Sequence, residues 1–186
     1  MSDGSIPIAQ TRDYRTLDHM NDDIVNAINN VVNQDDILIH LGDWSFGGIE
    51  NVEIFRNRIL CNNIYLVLGN HDHHIQRNKD NTQRFFINVF DYLELMYNKT
   101  MVVLSHFPFS SWNNLNKGVV HLHGHTHLSE EKKNLLGRRM DVGLDGHKNF
   151  RPYDLKKECI DVLTQKEIKS EFHTYDHHLD ELTRLP

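Results

Sequence analysis

Asp36-Ile-Leu-Ile-His-Leu-Gly-Asp43 and Ile64-Tyr-Leu-Val-Leu-Gly-Asn-His-Asp72 are built alike, each an apolar run that stops at glycine and then at groups able to bind a cation. Short apolar runs closed by glycine and polar residues read as buried strands. Between them, residues 49–60 place Val52, Phe55 and Ile59 at helical spacing. Strand, helix, strand without a hairpin turn implies parallel pairing and an α/β fold.

Upstream, residues 20–32 set Ile24, Ile28, Val31 and Val32 on one helical face, with Asn21 or Asp22 as the expected N-cap. Downstream, residues 92–97, the turn Asn98-Lys99-Thr100 and residues 101–105 read as a hairpin running into His106. Residues 119–123 form a further strand that enters Gly124-His125-Thr126-His127, and residues 138–142 another. Pro152 to about Cys159 suits a short helix. The expected architecture is a layered α/β sandwich of mixed β-sheets flanked by helices, one domain over residues 1–164. Residues 165–186, polar with scattered Ile168, Phe172, Tyr175 and Leu182, would be a docked helix or a tail.

The chain has 186 residues, 39% hydrophobic and 25% charged, which suits a single globular domain. No apolar run approaches the ~20 residues that span a bilayer, and Cys61 and Cys159 stand in unrelated contexts. A cytoplasmic location without membrane partners is the expectation. The formal net charge of −6 argues against binding duplex nucleic acid. A small anionic substrate stays compatible with it, because a bound metal supplies the missing positive charge. The compositional oddity is 14 histidines, the commonest metal ligand.

Four strand ends finish in candidate ligands: Asp43, Asn70, His106, and the pair His125 and His127. In open α/β sheets the carboxyl ends of strands form the ligand-binding rim, so these groups can converge. Oxygen and imidazole without thiolate suit manganese, iron, zinc or nickel rather than a cysteine-rich zinc site.

In that order, Gly42-Asp43, Gly69-Asn70-His71-Asp72, His106 and Gly124-His125-Thr126-His127 resemble the motif series of the calcineurin-like metallophosphoesterases, over roughly residues 12–160. Residues 41–47, residues 140–146 and Phe150-Arg151-Pro152 are similar to the small phage and bacterial members. The resemblance implies divalent ions, manganese first, with Asp43 bridging two of them. Asn70, His106 and His125 would complete the second site and His127 would belong to the first. His71 would be the catalytic non-ligand, hydrogen-bonding the phosphate or protonating the leaving oxygen. The implied reaction is hydrolysis of a small phosphate ester, a phosphodiester or nucleotide-like substrate, by a metal-activated hydroxide between ions roughly 3.5–4 Å apart. A degenerate member that keeps the fold and one metal as a binding or scaffold module is the alternative.

The family opens with a strand ending in Asp-x-His, and here Asp3-Gly4-Ser5 has serine in place of the imidazole. The expectation is a domain lacking its first strand, with a half-built first site, impaired catalysis and an exposed sheet edge that favours homodimers. His19 and Asp3 are the conceivable stand-ins. His40 is expected to be a hydrogen-bonded core histidine, His121 and His123 strand residues, and His73 and His74 solvated. His173, His177 and His178 lie in the tail. Trp44, Phe46, Phe107, Phe109 and Trp112 read first as core or rim packing and second as a stacking platform. Lys132, Lys133, Arg138 and Arg139 read first as a solvated tip and second as phosphate steering.

Overall fold

The computed structural model describes residues 8–133 and 137–168. Asp3-Gly4-Ser5, the three tail histidines, and Phe172, Tyr175 and Leu182 lie outside the described residues.

Helix α1 is one turn, Ile8–Thr11, and α2 spans Leu17–Asn29. The N-cap of α2 is Thr16, upstream of the expected Asn21 or Asp22. Its hydroxyl accepts the His19 N–H at 3.2 Å, and Asp18 sits in the first turn where the helix dipole favours negative charge. Met20, Val25 and Ile28 are buried, while Val31 lies past the helix end and is exposed.

Strand β1 (Ile37–His40), helix α3 (Ile49–Arg58) and strand β2 (Asn63–Val67) form the expected parallel unit, with Leu38 opposite Ile64 and His40 opposite Leu66. The sheet is completed by β3 (Asn88–Phe90), parallel to β2, giving the order β1-β2-β3. Strand β1 was read as fully buried, yet Ile37 is 65% exposed, because β1 lies at the sheet edge with one neighbour among the described strands. Between β2 and β3, the short helices α4 (His73–Arg77) and α5 (Lys79–Thr82) are too brief to leave a periodic signal in the sequence.

The hairpin β4 (Leu93–Tyr97) and β5 (Thr100–Ser105) turns on Asn98 and Lys99, both left-handed at φ 46° and 69°. Strands β6 (Val120–His123) and β7 (Arg139–Asp141) add parallel neighbours in the order β4-β5-β6-β7. The expected C-terminal helix starts after Pro152 and Tyr153, as a π-helical turn over Leu155–Ile160 that continues into α6 (Asp161–Leu163). Asp154 caps it by accepting the Lys157 N–H at 2.8 Å.

Strand alternation divides the interior in two. Leu38, Ile64, Leu66 and Val89 face α2 and α3, together with Ile28, Trp44 and Val52. Ile39, Leu41, Val67 and Phe90 face the other way, against Val102, Leu104, Val120 and Leu122 of the second sheet. Helices therefore flank the first sheet. On the second, Val103 and His121 turn outward, and Phe109 and Trp112 of the β5–β6 connection cover His121. Packing the sheets face to face sets the carboxyl ends of β1, β2, β5 and β6 along one rim.

Candidate metal centre

The rim is held together by Asp72, which is 1% exposed. One carboxylate oxygen accepts the N–H groups of Asp43 and Gly69, at 2.7 and 2.8 Å, and the other accepts the Trp44 N–H at 2.8 Å. A single buried anion thus ties the loop after β1 to the loop after β2 and satisfies three backbone donors. The two loops touch at glycine. A Cβ on Gly42, whose φ is +91°, would stand 2.6 Å from the Gly69 nitrogen, so no side chain fits there.

His106 enters from β5 and is 3% exposed. Its Nδ1 is 2.7 Å from the Leu41 carbonyl oxygen, a pure acceptor, so the neutral ring carries its proton on that side and Nε2 keeps a bare lone pair. That Nε2 lies 2.9 Å from Asn70 Oδ1, 3.2 Å from His125 Nδ1 and 3.5 Å from the Asp43 carboxylate. In that tautomer Nε2 presents its lone pair to the Asn70 and Asp43 oxygens, which are acceptors as well. Lone pairs gathered this way favour a cation among them. Ligand atoms of Asp43, His106 and His125 all lie within 4.8 Å of one another. The donor set fits a hard-to-borderline divalent ion. Burial and the neighbouring His106 lower the His125 pKa, which favours the neutral, ligating ring.

His127 stands outside that cluster. Its Nδ1 is 2.7 Å from Asp145, whose carboxylate is also gripped by the Arg12 guanidinium at 2.7 and 2.8 Å. Donation to Asp145 fixes the tautomer, leaves Nε2 free and raises the His127 pKa. Burial alone would raise the Asp145 carboxyl, but the hydrogen bonds from His127 and Arg12 hold it well below the usual carboxylate range. His71 is exposed, its N–H donates to Asp43 Oδ1 at 2.9 Å, and its ring rests 4.6 Å from Phe46. Asp43, His125 and His127 all adopt left-handed backbones, at φ 56°, 68° and 48°.

Several expectations are corrected. His40 was expected to be hydrogen-bonded, but its buried Nδ1 has no partner; the ring packs edge-on against Trp44, which offers no acceptor. His74 is buried beside Ser45 rather than solvated, because α4 turns it inward. His19 faces Tyr14 and Asp23 and takes no part in the cluster. Of the basic group Lys132 is exposed as expected, but the other three residues are no solvated tip. Arg138 donates to the carbonyls of Gly118, Thr164 and Lys166, Arg139 to Phe109, and Lys133 to Gly146. His121 and His123 are buried strand residues, as expected. Trp44 is core, whereas Phe46 and Phe107 are 54% and 44% exposed at the rim.

The sequence reading assigned no role to Asp72, Asp141, Asp145 or Arg12. Asp141 is fully buried and accepts from Thr126 Oγ1 and from the N–H groups of Leu128 and Gly143, shaping the His125–His127 loop. Asp72 follows the glycine turn after β2 and Asp141 ends β7, but nothing in a one-dimensional pattern marks a carboxylate that binds backbone amides. Arg12 and Asp145 are 133 positions apart, beyond the reach of any local signal.

A family model described as calcineurin-like phosphoesterase matches residues 13–182. The chain belongs to that family. Metal-dependent phosphoester hydrolysis is the family's general chemistry, and the cluster at Asp43, His106 and His125 is where this member could hold its ion. The Gene 66 protein of Mycobacterium phage D29 is 29% identical over 188 residues, covering 87% of this chain and 93% of the relative. A protein of unknown function from Aquifex aeolicus shares the fold, with a TM-score of 0.58 at 20% identity over 84% of this chain and 91% of that one. A structure described as a novel archaeal phosphodiesterase aligns with a TM-score of 0.47 at 20% identity, over 76% and 90% of the two chains. No helix among the described residues is long and apolar enough to cross a membrane.

Proposed function

We propose that this phosphoesterase hydrolyses a small phosphodiester or nucleotide-like ester at the rim, with manganese as its preferred ion. The observation that carries the reading is the convergence of acceptors around His106 Nε2, with the ring proton held away by the Leu41 carbonyl. Asp43, Asn70, His106 and His125 would hold one ion, and Nε2 of His127 would face a neighbouring one. A divalent ion bound there supplies Lewis acidity, polarising the phosphoryl oxygen and acidifying water. The protein's own part is orientation and proton transfer. Asp72 and Asp141 fix the loops, Asp145 and Arg12 set the His127 ring, and His71 stands free to hydrogen-bond the phosphate or protonate the leaving oxygen.

A second reading, a metal-binding scaffold with little turnover, is favoured by one observation. The cluster is the one group of three or more His, Cys, Asp or Glu ligands found among the described residues, and His127 lies outside it. Calorimetric titration with manganese, followed by assay of a chromogenic phosphodiester, separates the two. We expect tight binding that His106→Ala or His125→Ala weakens at least tenfold, together with turnover. Binding without turnover supports the scaffold, and unchanged affinity in both variants removes the site.

A further inference from the structure

Beside the metal cluster lies a cavity of about 260 Å³, bounded by Gly69, His106, Phe107, Phe109, Gln76 and Asp91 among others. Its volume is just below the roughly 300 Å³ at which pockets for whole drug-sized ligands begin, so it suits one planar ring of a larger molecule. Two features make it a built subsite rather than a surface dent. Phe109 is fixed: its ring stacks on buried His121 at 5.1 Å and 7°, and its N–H donates to His121 Nε2 at 3.1 Å. His121 is itself anchored, with Nδ1 3.2 Å from the Val103 carbonyl. Phe107, 44% exposed, meets His106 and His125 edge-on at 4.9 and 4.7 Å, so the aromatic wall is continuous with the candidate ligands.

Leu68, Asp72 and Ser105 also line the cavity, with Asp72 and Ser105 committed to backbone groups, which leaves Gln76 and Asp91 as its uncommitted polar side chains. The side chains of Gln76 and Asp91 are exposed and engage no hydrogen bond among the described residues. An amide both donates and accepts, which matches the adjacent amino and ring-nitrogen groups of adenine. A carboxylate only accepts, so it welcomes an exocyclic amine and repels a carbonyl edge or a second phosphate. Resting on the phosphoesterase reading above, we propose that this cavity is the base subsite of the enzyme. It takes an amino-bearing nucleobase, adenine or cytosine rather than uracil, stacked along Phe107 and Phe109 and read by Gln76 and Asp91.

The test titrates the manganese-loaded chain with AMP, CMP, UMP, ribose 5-phosphate and inorganic phosphate. AMP or CMP should bind about tenfold or more tighter than ribose 5-phosphate, as one stacked base would give, with UMP weaker than both. In a Gln76→Ala/Asp91→Ala variant the ratio of AMP to UMP affinity should collapse towards one. Phe109→Leu should reduce the ratio of AMP to ribose 5-phosphate; if it unfolds through loss of the His121 stack, the rim variant still decides. Equal binding of AMP and ribose 5-phosphate, or an unchanged AMP to UMP ratio in the rim variant, overturns the subsite. Adenosine is also titrated into the metal-free chain, observed through the phenylalanine ring resonances. A response to adenosine where manganese fails to bind upholds the subsite and sinks the phosphoesterase reading. Manganese and phosphate binding with no response to adenosine does the reverse.

Discussion

Replacing Asp72 tests whether a buried carboxylate assembles the metal rim. Its three acceptor contacts go to main-chain N–H groups at 2.7–2.8 Å, and water does not reach the side chain. In Asp72→Asn one orientation keeps the carbonyl oxygen on Asp43 and Gly69 and turns the amide nitrogen towards the Trp44 N–H. One charge-assisted bond becomes a donor facing a donor, and the other two lose their charge. With hydrogen bonds to charged groups worth about 1.5–3 kcal/mol, the loss should be about 2–3 kcal/mol. Asp72→Ala leaves all three donors unpaired and should cost about 4 kcal/mol or more, at the upper end for single substitutions. Urea unfolding of the metal-free chain gives these differences directly. Because Asp43 rides on the same contact, manganese affinity measured by calorimetry should fall about 10–100-fold in either variant, the usual cost of losing a residue that orients a ligand. An alanine variant within 1 kcal/mol of the parent, or one that binds manganese unchanged, would refute the idea that Asp72 builds the rim.

Two further outcomes follow from the site. His71→Ala should lower kcat on a phosphodiester about 10²–10⁴-fold with manganese affinity intact; loss of the metal instead would make His71 a ligand. His121 behaves differently, since burial holds its pKa down at about 3 against an ordinary value of 6.5. The unfolded chain therefore takes up a proton that the folded chain refuses, and stability is lost as pH falls from 6.5 towards 3, by at most about 1.4 kcal/mol per pH unit. His121→Gln, which can still bond Val103 and Phe109, should flatten the slope of unfolding free energy between pH 4 and 6; an unchanged slope would show that His121 is charged or exposed in the fold.

The parallel unit and most of the ligand loops were legible because apolar runs end on glycine, and the hairpin because two apolar runs flank the turn residues Asn98 and Lys99. Those signals are local, carried by windows such as residues 36–43 and 64–72. Helices α4 and α5 were not legible because four or five residues barely exceed one helical turn, and the three-residue strand β3 was not read as a strand. The exposure of Ile37 was hidden as well, since Ile37 and Leu38 are equally apolar in sequence although one is 65% and the other 8% exposed. At the site, the candidate metal ligands carry a recognisable residue type. The carboxylates behind them do not: Asp72, Asp141 and Asp145 act through distance and angle to partners elsewhere in the chain. The basic residues misled for the same reason, as Arg138 was read by its charge while the fold uses it to donate to three backbone carbonyls.

The left-handed backbones at Asp43, His125 and His127 set this protein's chemistry against its durability. A non-glycine residue in that conformation costs roughly 1–2 kcal/mol, and glycine would relieve most of it. A laboratory population selected only for heat resistance should accordingly drift towards glycine at His125, while at His127 that relief is set against the hydrogen bond from Nδ1 to Asp145 at 2.7 Å. Where the His125 imidazole persists under long passage, the candidate metal site itself is being selected. These torsion angles thus offer a way to ask whether a lineage still needs its enzyme.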